Sequence, residues 1–243
     1  MFKRLILIST LFALPAQAGT IVYQNDFESG VTGPEVSGGG NVVGTQGYSS
    51  FGFGNLFLQN ATGNNLNGGA IQDPTVIQIT GLPDHDSVDI GFLLAVINSW
   101  DGSAVVPDFF EVRLDGQLLF SETFTNFGIG SVDNRGFTQT ADISNRFVNP
   151  VNLGFPSRDS FPESAYNYTG FPDFTNIAHS GDALTLSFIA TGSGWQGSID
   201  ESWGIDNITI SVNEITAIAV SEPGTFALFS LGLLGILRRR LFG

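Results

Sequence analysis

The chain has 243 residues, a formal net charge of −14 and no cysteine. A disulfide framework, thiolate catalysis and a cysteine-based metal site are therefore excluded. The negative charge also argues against nucleic acid as a partner, because phosphate binding needs a basic surface.

The N-terminus has the pattern of a secretory signal peptide. A basic start is followed by an apolar run over residues 5–14, and Ala16 and Ala18 form a small-residue cleavage site. We predict that residues 1–18 are removed during export across the inner membrane.

The body is predicted to be all-β. Apolar and β-branched runs of strand length recur between turn residues, at 20–27, 55–59, 75–82, 87–97, 108–114, 117–124, 183–190 and 204–212. The Asp115-Gly116 step predicts a type I′ hairpin between two of them. Eight short strands predict a jelly-roll β-sandwich over residues 19–215, with an immunoglobulin-like sandwich as the alternative.

Two segments lack a strand pattern and are predicted to be loops. Residues 30–54 are rich in glycine and serine, and residues 126–181 hold four prolines and scattered aromatic residues. A loop as long as the second is usually functional or disordered. The two histidines, His85 and His179, lie in loop-like stretches and are interpreted as surface residues.

Acidic residues cluster near the ends of the first and last predicted strands. Asp26 and Glu28 end the first strand, and Asp200, Glu201 and Asp206 lead into the last one. The first and last strands of a jelly roll commonly lie side by side, so these carboxylates could converge on a Ca²⁺ ion, which takes six to eight oxygen ligands. The alternative is that Asp206 caps a turn while Glu28 and Glu201 face water.

Four aromatic residues are candidates for glycan binding. A sugar ring stacks on an exposed aromatic face while neighbouring polar groups bind its hydroxyls. Trp100 and Trp195 lie in loop contexts, and Tyr166 and Tyr168 lie in the long predicted loop. The alternative is that these rings close the ends of the sandwich as part of its core.

Enzyme signatures are weak in this chain. No G-x-S-x-G elbow occurs, and two histidines give a Ser-His-Asp triad little to draw on. We therefore predict a non-catalytic protein. Because a glycosidase needs only two suitably spaced carboxylates, a glycan-directed hydrolase on the same scaffold is kept as an alternative.

The C-terminal segment 221–243 has the order of a sorting tail. Glu222, Pro223 and Gly224 form a turn, residues 225–237 are uncharged, and three arginines follow: Arg238, Arg239 and Arg240. Thirteen helical residues cover only about 20 Å of a hydrocarbon core of about 30 Å, so a short membrane helix is predicted. The arginines would lie on the cytoplasmic side.

This tail, together with the signal peptide, resembles the PEP-CTERM proteins of Gram-negative bacteria. Ser221 stands where the usual Val-Pro-Glu-Pro core has its first proline. The resemblance implies recognition by a membrane-embedded exosortase, transient anchoring in the membrane, and release to the cell surface or extracellular matrix. It also implies an association with exopolysaccharide, with a purely structural matrix role as a further alternative.

The body resembles secreted jelly-roll modules of the carbohydrate-binding and lectin-like kind. The segments that carry the likeness are Asp26-Phe27-Glu28 and residues 201–207, Glu-Ser-Trp-Gly-Ile-Asp-Asn. The resemblance implies a structural calcium bound by Glu28 and Asp206. Asp26, Asp200 and Glu201 are the weaker candidate ligands.

Overall fold

The computed structural model describes residues 19–103, 106–126, 138–157 and 161–213. The predicted signal peptide and the predicted sorting tail with its membrane helix lie outside these ranges. Within them, the structure contains no helix with the length and apolar character needed to cross a membrane.

The described residues form strands joined by turns and three short 3₁₀ helices. The strands are β1 (Thr20–Asn25), β2 (Val36–Gly38), β3 (Asn41–Gly44), β4 (Leu56–Asn60), β5 (Thr75–Thr80), β6 (Ser87–Asn98), β7 (Phe109–Leu114), β8 (Gln117–Thr123), β9 (Arg146–Val151), β10 (Glu163–Asn167), β11 (Ile177–Ala178), β12 (Ala183–Thr191) and β13 (Glu201–Asn213). The 3₁₀ helices are Gln46–Phe51, Ile143–Asn145 and Pro172–Phe174. All eight predicted strands are therefore present, with ends shifted by up to three residues.

The strands form two antiparallel sheets in a jelly-roll arrangement. Sheet A has the order β3-β4-β13-β6-β10-β9, with β1 also paired to β13 and β11 to β6. Sheet B has the order β2-β5-β12-β7-β8. The central strands are β4-β13-β6-β10 in sheet A and β5-β12-β7-β8 in sheet B. The chain crosses between the two sheets in the order that a jelly roll of two Greek keys requires. The predicted jelly roll is confirmed, and the first and last strands are neighbours.

The core lies between the inner faces of the two sheets. In β5 the buried residues alternate with exposed ones, so that Ile77 and Ile79 point inward as a period of two requires. The ring of Phe110 lies 6.2 Å from Phe188 and 5.2 Å from Trp203, which joins sheet B to sheet A. Burial of each such side chain contributes about 1.5 to 3 kcal/mol.

The predicted hairpin turn is confirmed by its backbone angles. Asp115 has a φ of 50° and Gly116 a φ of 80°, and a type I′ turn needs positive φ at both central residues. The turn joins β7 to β8 in sheet B.

The two segments predicted to be loops contain strands. Residues 30–54 contribute β2, β3 and the first 3₁₀ helix, and residues 126–181 contribute β9, β10 and β11. The prediction was wrong here because these strands are short and are held by pairing with longer strands, a tertiary effect that local sequence pattern does not record. Parts of both segments cover the outer face of sheet A.

A second apolar core forms under these covering segments. Tyr48 is fully buried, and its hydroxyl lies 3.1 Å from the carbonyl oxygens of both Val96 and Ser164. The buried members of this outer core are Tyr48, Phe53, Phe57, Ala95, Ile97, Val148, Phe155 and Ala165. The sandwich thus carries a third, partial layer on one side.

The surface interpretation of the histidines was wrong for His85. Its exposed fraction is 2%, and its ring lies nearly parallel to that of His179, with centroids 4.9 Å apart. The loops that carry the two rings come together because His179 follows β11, which pairs with the start of β6 just after His85.

Candidate functional site

The structure divides the five predicted metal ligands between two places. Glu201 and Asp206 belong to the same extended strand, β13, and are five residues apart. At a rise of about 3.3 Å per residue, this separation is about 16 Å, too long for one coordination shell. Asp26 and Glu28 lie close to Asp206. Asp200 and Glu201 lie at the start of β13.

Glu28 binds the segment that leads into β4. One of its carboxylate oxygens accepts a 2.8 Å hydrogen bond from the N–H of Leu56, and the other accepts a 3.0 Å bond from the Asn55 amide. These donors lower the pKa of Glu28, with the Leu56 N–H as the main cause. The exposed Glu28 carboxylate therefore has protein partners for both of its oxygens.

Asp206 is buried beside the same segment. It accepts hydrogen bonds from the N–H groups of Gly54, at 2.9 Å, and Asn207, at 2.7 Å. Burial is the main cause that raises the pKa of Asp206 to about 6, and the negative charges of Glu28 and Asp26 act in the same direction. The structure thus brings Asp26, Glu28 and Asp206 into one neighbourhood, as predicted. Calcium at this place stays a prediction.

Asp200 has a different role from the predicted one. It is buried, and its carboxylate accepts a 3.1 Å hydrogen bond from the Ser99 hydroxyl, which also binds the Asp200 carbonyl. This pairing joins the end of β6 to the start of β13, far from Glu28.

A second acidic cluster lies where β6 ends and β7 and β13 begin. Asp101, Asp108 and Glu201 each offer an oxygen within 4.8 Å of the others, the one such group of three among the described residues. The N–H of Asp101 donates to Asp108 at 2.7 Å, and the N–H of Gln196 donates to Glu201 at 2.8 Å. Burial is the main cause that raises the pKa of both Asp108 and Glu201, and the negative charge of Asp101 acts in the same direction on both. A side-chain hydrogen bond between Asp108 and Glu201 acts against this rise at Asp108.

The prediction that four aromatic residues form an exposed glycan platform was wrong. Trp100, Trp195 and Tyr166 have exposed fractions of 0%, and Tyr168 has 1%. The two indole rings pack 5.3 Å apart, and the Trp100 N–H donates to the Ser202 carbonyl at 2.9 Å. All four rings belong to the core between the two sheets, where burying them removes large apolar surfaces from water.

The outer side of sheet A carries a groove of about 340 Å³. Its floor includes Gln59, whose amide donates to the Ser202 hydroxyl at 2.8 Å. The amide N–H₂ of Asn98 donates to two backbone carbonyls, while its buried oxygen has no hydrogen-bond partner among the described residues. The residues that line the groove are neutral: Val43, Gly44, Gln46, Gln59, Ala61, Asn98, Phe155, Pro156, Ser198, Ile199 and Ser202.

Sequence reasoning missed both the groove and two members of the acidic cluster. The residues that line the groove come from several separate segments of the chain, so no local sequence motif predicts it. Asp101 and Asp108 do carry a signal, since both are acidic residues at the ends of consecutive strands, β6 and β7. Consecutive jelly-roll strands on opposite sheets bring such ends to one edge of the sandwich.

Comparison with known proteins adds one identified motif and a set of distant structures. The chain carries a PEP-CTERM protein-sorting motif over residues 219–240. This motif marks an exported protein that is sorted to the cell surface. No curated protein sequence matches the chain.

Solved structures with a similar strand arrangement include carbohydrate-binding modules. The CBM22-1 xylan-binding domain of Paenibacillus barcinonensis Xyn10C is 15% identical over 83% of this chain and all of that domain, with a TM-score of 0.34. The C-terminal family 22 module of Clostridium thermocellum Xyn10B is 10% identical over 81% and 97% of the two chains, with a TM-score of 0.35. The K3 cleaved adhesin domain of Lys-gingipain from Porphyromonas gingivalis w83 is 10% identical over 79% and 99%, with a TM-score of 0.36. At these values, any functional argument depends on this chain's own residues.

Proposed function

We propose that this chain is an exosortase-sorted surface protein that binds a neutral polysaccharide in the groove on sheet A. The observation that carries the proposal is the neutral lining of that groove, in which amides and hydroxyls stand beside apolar walls. Sugars present hydroxyls around an apolar ring, so they need this combination of groups.

The polar groups of the groove suit hydroxyl ligands. The side chains of Gln59 and Ser202 line the groove and offer both donors and acceptors. Phe155 and the exposed Ile199 supply apolar contact on the walls.

The charge of the protein favours a neutral ligand. The full chain carries a formal net charge of −14, and the residues between the two predicted targeting segments hold nearly all of the acidic side chains. The negative charge of the protein would repel an anionic polysaccharide before it reached the groove. A neutral glycan would be unaffected.

The sorting motif supports a location where polysaccharide is available. Under this proposal the signal peptide directs export from the cytoplasm of a Gram-negative cell, and the C-terminal helix anchors the chain until an exosortase acts on the tail. The protein then meets exopolysaccharide at the cell surface or in the matrix.

The groove favours binding over hydrolysis. Hydrolysis by the usual route needs two carboxylates on either side of the bond that is cut. The described residues that line the groove include no aspartate or glutamate. A purely structural role in the matrix remains as an outcome that the binding experiment can reveal.

The binding experiment compares two matched variants. We expect the full chain, purified in mild detergent, to be retarded in native gels that contain the neutral exopolysaccharide fraction of the producing organism. Gln59→Ala should weaken binding about tenfold, since loss of one or two hydrogen bonds is worth about 1.4 kcal/mol. Gln117→Ala, the same change at an exposed position on sheet B, should leave binding unchanged. No retardation of the wild type would contradict glycan binding and favour the structural role.

Sorting is tested separately from binding. Deletion of residues 219–240 should leave the chain unprocessed and prevent its appearance at the cell surface. Wild-type chain in a host without exosortase should behave in the same way. Normal surface display in either case would contradict exosortase sorting without affecting the glycan proposal.

A further inference from the structure

Asp101, Asp108 and Glu201 form a cluster that joins the two sheets. Asp101 follows β6 and Glu201 opens β13, both in sheet A, whereas Asp108 directly precedes β7 in sheet B. Their oxygens lie within 4.8 Å of one another. A ligand held by all three would therefore connect the sheets at this end of the sandwich.

The two buried members each have one anchored oxygen and one unused oxygen. In Asp108, Oδ2 accepts the N–H of Asp101, while no N–H or O–H group among the described residues donates to Oδ1. In Glu201, Oε2 accepts the N–H of Gln196, while Oε1 has no such donor within the same part of the chain. A hydrogen bond between the Asp108 and Glu201 side chains needs a shared proton, since both carboxylates only accept. The exposed fractions of the two residues are 0% and 1%, so water at the molecular surface does not satisfy these atoms.

The backbone around the cluster is fitted closely to these oxygens. Gly194 is buried, and a Cβ at that position would lie 2.5 Å from Oδ1 of Asp108 and would overlap the carbonyl of Val106. Only glycine lets the chain close over the carboxylate at this distance. Asp101 is half-buried and is the most accessible of the three residues.

Three carboxylates this close need either protons or a cation. A divalent cation would offset two of the three negative charges and would use the two oxygens that lack donors. We propose that Asp101, Asp108 and Glu201 bind a Ca²⁺ ion. Calcium fits because the cluster offers only oxygen ligands, and its flexible shell of six to eight ligands lets water complete the coordination. This ion stabilises the contact between the sheets and is separate from the calcium predicted at Glu28 and Asp206.

The test measures thermal unfolding of the full chain in detergent, with the metal removed and then with CaCl₂ or MgCl₂ added. At a hundredfold excess over the Kd, Ca²⁺ should raise the Tm by roughly 5 to 10 °C. Glu201→Gln should abolish most of this shift, and Glu122→Gln, a matched change in β8, should keep it. If the Glu201 variant does not fold, Asp101→Asn, a change at the most accessible ligand, replaces it and should also reduce the Ca²⁺ shift.

A second readout uses Tb³⁺, which occupies calcium sites and emits when excited through a nearby tryptophan. Trp100 directly precedes Asp101, so wild-type chain should give emission that CaCl₂ displaces and Asp101→Asn lowers. Three results would overturn the proposal: no Ca²⁺ shift, a shift that survives in both ligand variants, or a shift lost only in Glu28→Gln. If neither wild type nor Glu201→Gln shows a Ca²⁺ shift and Glu201→Gln is the more stable of the two, the carboxyl groups share protons and bind no ion.

Discussion

Nε2 of His85 lies 2.6 Å from Nδ1 of His179. The chain of contacts continues on both sides, since Nδ1 of His85 lies 2.7 Å from the Pro83 carbonyl and Nε2 of His179 lies 3.1 Å from the Asp115 carboxylate. The carbonyl and the carboxylate only accept, so three N–H groups are needed for three hydrogen bonds. Two neutral imidazoles supply two. A continuous chain of hydrogen bonds along these contacts therefore needs one N–H more than the two neutral rings supply.

Asp115→Asn should let two imidazole N–H groups complete the same chain of contacts. The side chain introduced by Asp115→Asn suits the type I′ turn, keeps an acceptor for the N–H of Thr185, and can donate from its amide to His179. Proton-detected ¹⁵N spectra at mildly acidic pH should show three imidazole N–H protons for this pair in wild type and two in the variant. If both proteins show only two imidazole N–H protons, the interpretation that three N–H groups link the two rings is contradicted.

Gly204 is required by the outer core of sheet A. A Cβ on this residue of β13 would overlap the ring of Phe57 on the neighbouring strand β4. Gly204→Ala should therefore lower the free energy of unfolding by about 1 to 3 kcal/mol, the usual range for overpacking. Urea unfolding measures this change. Gly91→Ala on neighbouring β6, where the nearest atom would be 3.5 Å away, should have a much smaller effect.

Glu163 holds one wall of the groove. Its two carboxylate oxygens accept the N–H groups of Leu153, at 2.7 Å, and Phe155, at 3.2 Å. Glu163→Gln leaves one acceptor for the two N–H donors, of which that of Phe155 is buried, so we expect a loss of about 1 to 3 kcal/mol in the free energy of unfolding. Glycan affinity should fall as well, because Phe155 lines the groove. Unchanged stability would show that the wall is held by other contacts.

The same residue predicts a pH dependence of stability. Burial is the main cause that raises the pKa of Glu163 in the folded state, and the N–H donors only partly oppose it. The folded state thus holds the proton more tightly than the unfolded state, whose pKa is 4.5. This contribution to stability is complete below about pH 4.5 and is lost as the pH rises through the raised folded pKa. Denaturant unfolding across this range should give a flatter profile for Glu163→Gln than for wild type.

Trp100 is expected to act through stability and not through direct sugar contact. Trp100→Ala should cost about 3 to 5 kcal/mol, as truncation of a buried aromatic residue does. Under conditions where the variant is folded, its glycan affinity should match that of wild type. Phe51→Ala, at a ring with an exposed fraction of 40%, should change stability by less than about 0.5 kcal/mol. Loss of affinity in a folded Trp100 variant would restore the aromatic-platform interpretation.

The strand pattern predicted the sandwich because inward and outward residues alternate along each long strand. Ile77 and Ile79 in β5 show this alternation directly. The Asp115-Gly116 turn was equally predictable, since few residue pairs adopt positive φ at both positions. These features depend on residues that are close in sequence.

The candidate sites were not predictable in the same way. The five acidic residues were predicted to meet, but the extended backbone of β13 keeps Glu201 and Asp206 about 16 Å apart. Trp100 and Trp195 occupy loop contexts in the sequence and yet are buried, because their burial depends on residues from the opposite sheet.

The sequence by itself determined the jelly roll, its hairpin and the sorting motif, since each is encoded by neighbouring residues or by strand periodicity. The tertiary structure alone decided which carboxylates share a site, which aromatic rings are buried, and where a neutral groove opens. These outcomes depend on long-range strand pairing, which brings Asp101, Asp108 and Glu201 together across up to a hundred residues of chain.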